Sequence, residues 1–427
     1  MNYLFSIYHW VLAWVGGFIY GHPSRRIFVI GVTGTKGKST TIEFLSAILE
    51  AAGKKTALSS TVRRKVLNEE KRNTSGNSMP GRFFLQGFLK KAVKAGAEYA
   101  LIEVTSQGVI QHRHRFIDWD AAFLTNLAPE HIEAHGSFEN YRAAKVSFFE
   151  YLARSRKKEK YFFVNGNDSN AEYFVKAGER ISGGRVFIYT KEKFLGECLK
   201  NGLDLTSREK RRAVNNWLWG DFNLDNAAAG LAFAGSQKIS WPVARKAITE
   251  FGGLIGRLEF VQREPFAVVV DGAHTPDSLE KVYQNLRPEV LYGLPGQGAP
   301  GGKLICVLGS AGGGRDKWKR PEMGKIAARY CDAVVLTDED PYDEDPSQIL
   351  AEIKSGISNF QFPISNLYEI LDRKEAIKKA ISLAEKNDAV VATGKGSEMS
   401  IHIAHGKTIP WDEKETIKEA LNSLKKI

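Results

Sequence analysis

The chain is poor in sulfur, with three cysteines and four methionines among 427 residues. Cys198, Cys306 and Cys331 stand far apart, are odd in number and include no C-x-x-C pair. That spacing excludes a zinc ribbon and argues against a disulfide framework. Cys306 lies in an apolar strand pattern and reads as a small core residue, so a reducing, cytoplasmic compartment fits. Internal repeats and low-complexity tails are absent, which excludes a repeat architecture. Acidic residues are the scarcer sign, 49 against 60 Lys and Arg, giving a net charge of +11. Such a balance favours an anionic partner: a nucleotide, nucleic acid or a membrane surface. The basic residues are scattered, and no run interleaves them with aromatics as a single-strand binder would, so nucleic acid is not expected as the main ligand. With 43% hydrophobic and 26% charged residues the chain is globular, and its length suggests two or three domains.

One long apolar run is present, Tyr3–Tyr20, broken only by Ser6, His9 and Gly16-Gly17. No basic residue precedes it and no small-residue cleavage site follows, so a secretory signal is a poor match. Arg25 and Arg26 follow, which would keep the remainder cytoplasmic if the run spans. Three readings stand: a helix docked on the next domain, a membrane-surface or spanning anchor, and a partner-binding helix.

The informative stretch comes next. Ile27–Val32 is an apolar, β-branched strand pattern; Thr33-Gly34-Thr35-Lys36-Gly37-Lys38-Ser39-Thr40-Thr41 is a glycine-rich turn. A helical pattern then places Ile42, Leu45, Leu49 and Ala52 on one face and stops at Gly53. Strand, glycine loop and helix are the context of a phosphate-binding loop. Backbone amides of Gly34–Thr40 would curl around an anion at a helix N-terminus. Lys38 would supply a point charge to the outer phosphates, and Ser39 or Thr40 a hydroxyl to Mg²⁺. The strict G-x-x-x-x-G-K-[ST] pattern is not met, because Val32 stands at its first glycine.

Further on, strands are expected at Thr56–Ser60, Tyr99–Val104, Asp120–Thr125, Tyr161–Val164, Val186–Tyr189 and Ala213–Trp219. Helices are expected at Phe83–Ala95, Phe138–Leu152 and Asn223–Ala234, and Arg63–Asn77 reads as a mobile polar loop. A second alternation starts near Arg257: strands at Phe266–Val270, Lys303–Leu308, Ala333–Leu336 and finally Asp388–Ala392. Its helices are Asp277–Leu286, Pro321–Tyr330, one opening at Asp345-Pro346, and Asp372–Ala384, with a Gly/Pro loop at Pro295–Gly302. The fold class is therefore α/β: a P-loop ATPase domain with a mostly parallel sheet, then a Rossmann-like α/β domain. The expected boundaries are 1–26 for the apolar segment, 27–256 and 257–427.

Glu103-Val104-Thr105-Ser106-Gln107-Gly108 ends one strand, and Thr125-Asn126-Leu127-Ala128-Pro129-Glu130-His131 ends another. Ligands of open α/β sheets gather at such ends. A carboxylate and a histidine there suit a Mg²⁺–nucleotide site.

Together these segments resemble the Mur ligase family of ATP-dependent muramyl peptide ligases, in particular the branch that adds the third amino acid. The resemblance rests on Gly31–Thr41, Glu103–Gly108, Thr125–Gly136, Tyr141–Lys145, Gly220–Asn226, Gly256–Glu259, Asp271–Asp277, Gly309–Arg320 and Gly394–Glu398. It implies a ligase of cell-wall synthesis that phosphorylates a carboxylate with ATP and lets an amine displace the phosphate. By that resemblance Lys38 and the loop amides hold the β,γ-phosphates, and Ser39 or Thr40 with Glu103 holds one Mg²⁺. His131 and Lys145, the latter as a carbamate, hold a second. Asn126, Asn223, Asn226, Arg257 and Asp271 fall on the nucleotide side, the two asparagines of Asn223–Asn226 facing adenine. Asp316 and Lys317 fall near the transferred phosphate. Thr105, Arg113, His274, Asp340, Lys395 and Glu398 fall on the substrate side. Two modules contributing residues imply closure that excludes water.

Three departures shape the expectation. Only about 26 residues precede the ATPase strand, where the family carries a UDP-binding domain, so a truncated, lipid-linked or otherwise different acceptor is expected, or compensation by the apolar segment. Met79-Pro80-Gly81 stands where the family has Thr-Thr-Pro. Glu339-Asp340-Pro341-Tyr342 replaces Asp-Asn-Pro-Arg, so the arginine that would fork-bind a distal carboxylate is a tyrosine, and Ser397 replaces a histidine. A cationic amino acid such as lysine is therefore expected rather than diaminopimelate. The partners implied are an amino acid and a peptide-bearing acceptor, with a monomer expected. The same chemistry on a folate or polyglutamate acceptor, and a non-catalytic ATP-binding assembly subunit, are the alternatives.

Overall fold

In the computed structural model, residues 3–75, 77–130, 132–287, 302–358 and 362–424 are described. They form two compact units, Met1–Gly252 and Gly253–Ile427, so the apolar N-terminal segment belongs to the first. In chain order the first unit holds α1 (Tyr3–Tyr20), β1 (Phe28–Thr33), α2 (Lys38–Ala51), β2 (Thr56–Ser59), β3 (Arg63–Val66), β4 (Glu69–Arg72), α3 (Arg82–Lys94), β5 (Tyr99–Glu103), α4 (Ser106–Ile110), β6 (Ala121–Leu124), α5 (Ile132–His135) and α6 (Phe138–Tyr151). It continues with β7 (Lys160–Asn165), α7 (Ala171–Glu179), β8 (Gly184–Tyr189), α8 (Lys191–Lys200), α9 (Arg208–Val214), α10 (Asp221–Ser236) and α11 (Trp241–Glu250).

The strand order is β4-β3-β2-β5-β1-β6-β7-β8, parallel except for the β2–β3–β4 edge. β1 lies inside this sheet, with Ile30 opposite Leu101 of β5 and Ala121 of β6. Its alternation feeds two cores. Val29, with Ala100, Ile102, Ala122 and Leu124, packs under α3, α6 and α7. Ile30 and Val32, with Leu101, Ala121 and Phe123, pack under α2, α8, α10 and α11. A strand buried on both faces reads as a continuous apolar run, which is why Ile27–Val32 was legible.

Two expectations for this unit are corrected. Residues 63–77 contain the β3–β4 hairpin rather than only a loop, turning at Leu67 with φ 54°. Its charges hid it: Arg63 pairs with buried Glu43 at 2.6 Å and Lys65 with Glu50 at 2.7 Å, so a polar strand is held at the edge. Residues 213–219 are not a strand. α9 ends at Val214 and a 3₁₀ turn covers Asn216–Trp219. The Asn215 amide donates to the carbonyls of Ile248, Thr249 and Phe251 and accepts from the Trp217 N–H, so tertiary contacts override an apolar pattern.

α1 docks on α3, the first of the three readings. Ser6 meets His112 at 2.8 Å and the Arg82 guanidinium donates to His9 Nδ1 at 2.5 Å. Among the described residues no helix is long and apolar enough to cross a membrane, which corrects the spanning-anchor reading.

The second unit holds β9 (Glu259–Gln262), β10 (Ala267–Val270), α12 (Pro276–Leu286), β11 (Leu304–Leu308), α13 (Lys319–Tyr330), β12 (Ala333–Leu336), α14 (Pro346–Ser358), β13 (Leu367–Glu369), α15 (Arg373–Ser382), β14 (Ala389–Ala392), β15 (Ser400–Ile403), β16 (Lys407–Pro410) and α16 (Glu413–Leu424). The order β13-β12-β11-β14-β10-β9 is parallel except for β9. Helix α14 opens at Pro346 with Asp345 accepting from the Ser347 N–H, as Asp-Pro predicts. β14 is not the last strand, because the β15–β16 hairpin follows it. Of the expected loop at Pro295–Gly302, all but Gly302 lies outside the described residues. The cysteine reading is also corrected. Cys306 is fully buried, as expected, but is bonded to Cys331 with Cα atoms 6.2 Å apart. Sequence separation concealed this: β11 and β12 are neighbours, and Cys331 stands just ahead of β12. Cys198 is free and buried.

Candidate functional site

The turn after β1 is braced from outside. The side-chain amide of Asn126, just past β6, accepts from the Lys36 N–H at 2.9 Å and donates to the Lys36 carbonyl at 3.1 Å. Its own carbonyl accepts from the Thr35 N–H at 2.8 Å, and Thr125 Oγ1 donates to the Lys36 carbonyl at 2.6 Å. Gly34 sits at φ 146°, where a Cβ would lie 1.9 Å from Thr125 Oγ1. Only glycine fits so close a crossing. Gly37, at φ 81°, caps α2, whose first-turn amides geometry leaves without intrahelical acceptors. Lys36 pairs with buried Glu130 at 3.0 Å.

Lys38 folds back over this turn, donating to the carbonyls of Gly34 and Thr35 at 3.1 and 2.9 Å, with Glu103 Oε1 3.8 Å away. Glu103, at the end of β5, is buried. Its Oε2 accepts from Ser39 Oγ at 2.9 Å, the Thr61 N–H at 2.8 Å and Thr61 Oγ1 at 2.9 Å. Thr61 was missed in sequence; the signal was its place past the end of β2, which pairs with β5. One carboxylate and two hydroxyls converging beside a loop that fits an anion make an oxygen-only donor set suited to a hard cation. Among the described residues no three His, Cys, Asp or Glu cluster as a metal centre. Thr40 is buried on α2 beside Ser39, and His131 lies outside the described residues.

Lys145, on α6, is buried and donates to the Gly34 carbonyl at 2.9 Å, with its Nζ 4.7 Å above the Tyr141 ring. Burial, reinforced by the nearby Lys38 charge, holds its amine well below the ordinary lysine range. A solvated helix lysine is thereby excluded. Tyr141, buried beside it, meets Thr35 Oγ1 at 3.1 Å.

Asn223 and Asn226 are bonded to one another and to their surroundings. Asn223 donates to the Trp217 carbonyl at 2.6 Å, Asn226 donates to Asn223 Oδ1 at 3.1 Å, and Asn226 Oδ1 accepts from Thr41 Oγ1 at 3.0 Å. Both are buried, and these bonds tie α10 to α2. Thr105 caps α4, its Oγ1 accepting from the Gly108 N–H at 3.0 Å. Arg113, half-buried, donates to Gln111 Oε1, to Asn77 Oδ1 at 3.0 Å and to the Met79 carbonyl, so it braces the Met79-Pro80-Gly81 loop.

In the second unit, Asp271 accepts from the N–H groups of Leu258 and Ala273, both at 2.7 Å, and shapes the turn where Arg257 packs over Gly272. His274 Nδ1 lies 2.7 Å from the Gly272 carbonyl. Lys395, buried, donates to Asp340 Oδ1 at 2.8 Å and Glu398 Oε2 at 2.6 Å, so these three expected substrate residues are brought together. Burial works against the Lys395 charge, but Glu398 and Asp340 outweigh it and hold the amine above its usual range. Glu339 beside them is pushed up to about 7 by burial. Tyr342, at φ 53°, stacks on His402 with centroids 5.0 Å apart. Lys317 pairs with Glu344 at 3.1 Å, and Asp316 is buried.

The description "Mur ligase middle domain" matches residues 32–234, and "Mur ligase, glutamate ligase domain" matches residues 256–396. A UDP-N-acetylmuramoyl-L-alanyl-D-glutamate--2,6-diaminopimelate ligase of Syntrophomonas wolfei is 36% identical over 96% of this chain and 81% of its own length. A UDP-N-acetylmuramyl-tripeptide synthetase of Roseiflexus sp. is 36% identical over 97% of this chain and 82% of its own. Among solved structures, a UDP-N-acetylmuramoyl-L-alanyl-D-glutamate--2,6-diaminopimelate ligase superposes with a TM-score of 0.56 at 26% identity, covering 93% of this chain and 79% of that one. The folylpolyglutamate synthase of Mycobacterium tuberculosis, complexed with ADP and AMPPCP, shares the fold with a TM-score of 0.64 at 15% identity, covering 90% and 91%.

Proposed function

The chain belongs to the Mur ligase family, and from that premise we infer that it is an ATP-dependent ligase of peptidoglycan synthesis, joining an amino acid to the carboxylate of a muramyl-peptide acceptor. A carboxylate oxygen attacks the γ-phosphorus of ATP, the β,γ-bridge breaks and ADP leaves, giving an acyl phosphate. The amino group then adds to the acyl carbon, loses a proton, and phosphate departs. Activation is required because a bare carboxylate is a poor electrophile, whereas phosphate is a good leaving group.

The observation that supports this reading is the cluster of Lys38, Ser39, Glu103 and Lys145 around the β1 turn. Lys38 lies where a triphosphate would draw it from the Gly34 and Thr35 carbonyls. Ser39 and Glu103 would hold Mg²⁺, which supplies charge neutralisation to the transferring phosphoryl group when bound. Burial beside the Lys38 charge favours the neutral form of the Lys145 amine, the form that adds to CO₂ to give a carbamate and a proton. That product would be an anion at the same place.

The amino-acid preference follows from the second unit. Tyr342 presents a phenol where a guanidinium would fork-bind a distal carboxylate, and it is held against His402 and hydrogen-bonded by Arg315. Asp343, Glu344 and Asp345 follow it in sequence. Lysine is therefore the expected substrate. Phosphate release from ATP, screened over amino acids with UDP-linked and free muramyl dipeptides, tests both levels. Release dependent on lysine and not on diaminopimelate is expected. Stimulation by diaminopimelate alone refutes the preference, and no amino-acid dependence at all refutes the ligase. Tyr342→Arg should shift stimulation toward diaminopimelate.

A further inference from the structure

α1 is amphipathic in the wrong sense for a helix that ends at water. Its docked side is made of small and polar residues: His9, Ala13, Gly16 and Gly17 are buried. At Gly17 a Cβ would meet the Phe116 Cβ at 3.1 Å, so glycine is what allows the close approach. The large apolar side chains point the other way. Ile7, Val11, Trp14 and Phe18, spaced four, three and four apart, form one exposed stripe, flanked by Tyr8 and Ile19. Trp14 is 49% exposed, Tyr8 57%, Ile19 57% and Phe18 72%. A contiguous stripe of this kind marks an interaction surface rather than scattered surface hydrophobics.

The charge around it identifies the partner. Tyr3–Tyr20 carries no charged residue. Two segments pack against α1, helix α3 with Arg82, Lys90, Lys91 and Lys94 and the stretch 111–117 with Arg113 and Arg115; the turn Pro23–Arg26, which follows α1 in the chain and packs on α3, adds Arg25 and Arg26, and none of the three contains an acid. Two of these cations have acidic neighbours from elsewhere, Arg25 with Asp118 at 3.3 Å and Lys91 with exposed Glu69 at 2.7 Å. An uncharged stripe rich in Trp, Tyr and Phe, framed by cations, matches the interface of an anionic bilayer, where aromatic rings sit at headgroup level and basic residues meet lipid phosphates.

We propose that α1 lies in the plane of a membrane containing anionic phospholipid, its Ile7–Val11–Trp14–Phe18 stripe inserted and its opposite side fixed to the first unit. The test is co-sedimentation of the full chain with vesicles of mixed phosphatidylglycerol and phosphatidylcholine, and with phosphatidylcholine alone. Binding to the anionic vesicles, weakened by salt, is expected. Trp14→Glu combined with Phe18→Glu should weaken it by about a hundred-fold, since two inserted apolar side chains are lost. ATP-dependent phosphate release should be unchanged. Should that variant lose helical signal, Arg25→Gln with Arg26→Gln decides alone, with binding about thirty-fold weaker if both cations face the lipid surface. Wild-type protein left in the supernatant with both vesicle types overturns the proposal, as does sedimentation that neither variant changes. A dimer in light scattering that Trp14→Glu abolishes, without vesicle binding, assigns the stripe to a second copy instead.

Discussion

Replacing Lys145 with methionine is expected to stop amide formation and to raise the melting temperature at the same time. The side chain is 1% exposed, and its amine is desolvated beside the Lys38 charge. Water would solvate that amine better than the Gly34 carbonyl and the Tyr141 ring do. Methionine of similar volume should stabilise by about 1–2 kcal/mol. For a unit of this size that is about 2–8 °C. The fall in turnover should be about a thousand-fold, the scale of losing one preorganised charge at a phosphoryl site. The sign of the pH dependence supplies an independent check. The folded amine binds its proton less tightly than the unfolded one, so the unfolded chain holds more protons over the interval between the depressed value and about 10.4. Wild-type stability should therefore rise with pH across that interval, and the methionine variant should lose the slope. Melting curves in matched buffers, with turnover measured alongside, check all three. A variant less stable than wild type would mean that the lysine is paired in a way its contacts do not suggest.

Arg373→Met should be the most destabilising single change in the second unit, by about 3–5 kcal/mol. Arg373 and Glu413 are 1% and 0% exposed and form a two-point ion pair. The guanidinium also donates to the carbonyl of Asp338 at 3.0 Å and of Thr393 at 2.7 Å. Removing it leaves the Glu413 carboxylate buried with, among the described residues, only Trp411 Nε1, at 2.6 Å, still donating to it. Replacing both partners with apolar residues should recover most of the loss, because the uncompensated charge goes with the arginine. Unfolding in urea, followed by the fluorescence of Trp318 and Trp411 in the second unit after the other tryptophans are replaced by Phe, checks the loss. Because Arg373 joins the segments that carry Asp340 and Lys395, the methionine variant should also raise the KM for the amino acid more than it lowers kcat.

The parts of the fold that were legible are those in which burial alone sets the pattern. β1, β5, β10 and β11 are covered on both faces and read as continuous apolar runs. The β3–β4 hairpin was not legible because its strands carry Arg63, Arg64, Lys65, Glu69, Glu70 and Lys71, and pairing to partners distant in sequence, Glu43 and Glu50 among them, stabilises them. Asn215 shows the converse, an apolar neighbourhood turned into a 3₁₀ turn by three carbonyls far along the chain. In the site, Lys38, Ser39 and Glu103 were readable from strand-end position and residue type. Thr61 was not, because only sheet order brings β2 beside β5. The interior bonding of Asn223 and Asn226 was likewise invisible, since an Asn-x-x-Asn spacing does not say which way two amides point.

Asn126 has one more implication. The turn that would receive the triphosphate is shaped by a side chain from β6's end rather than by its occupant, through two bonds to Lys36 that are already made. A receptor stiffened in advance surrenders little configurational freedom on capture. Asn126→Ala should therefore leave every phosphate-contacting group present and still weaken nucleotide affinity, purely through lost rigidity.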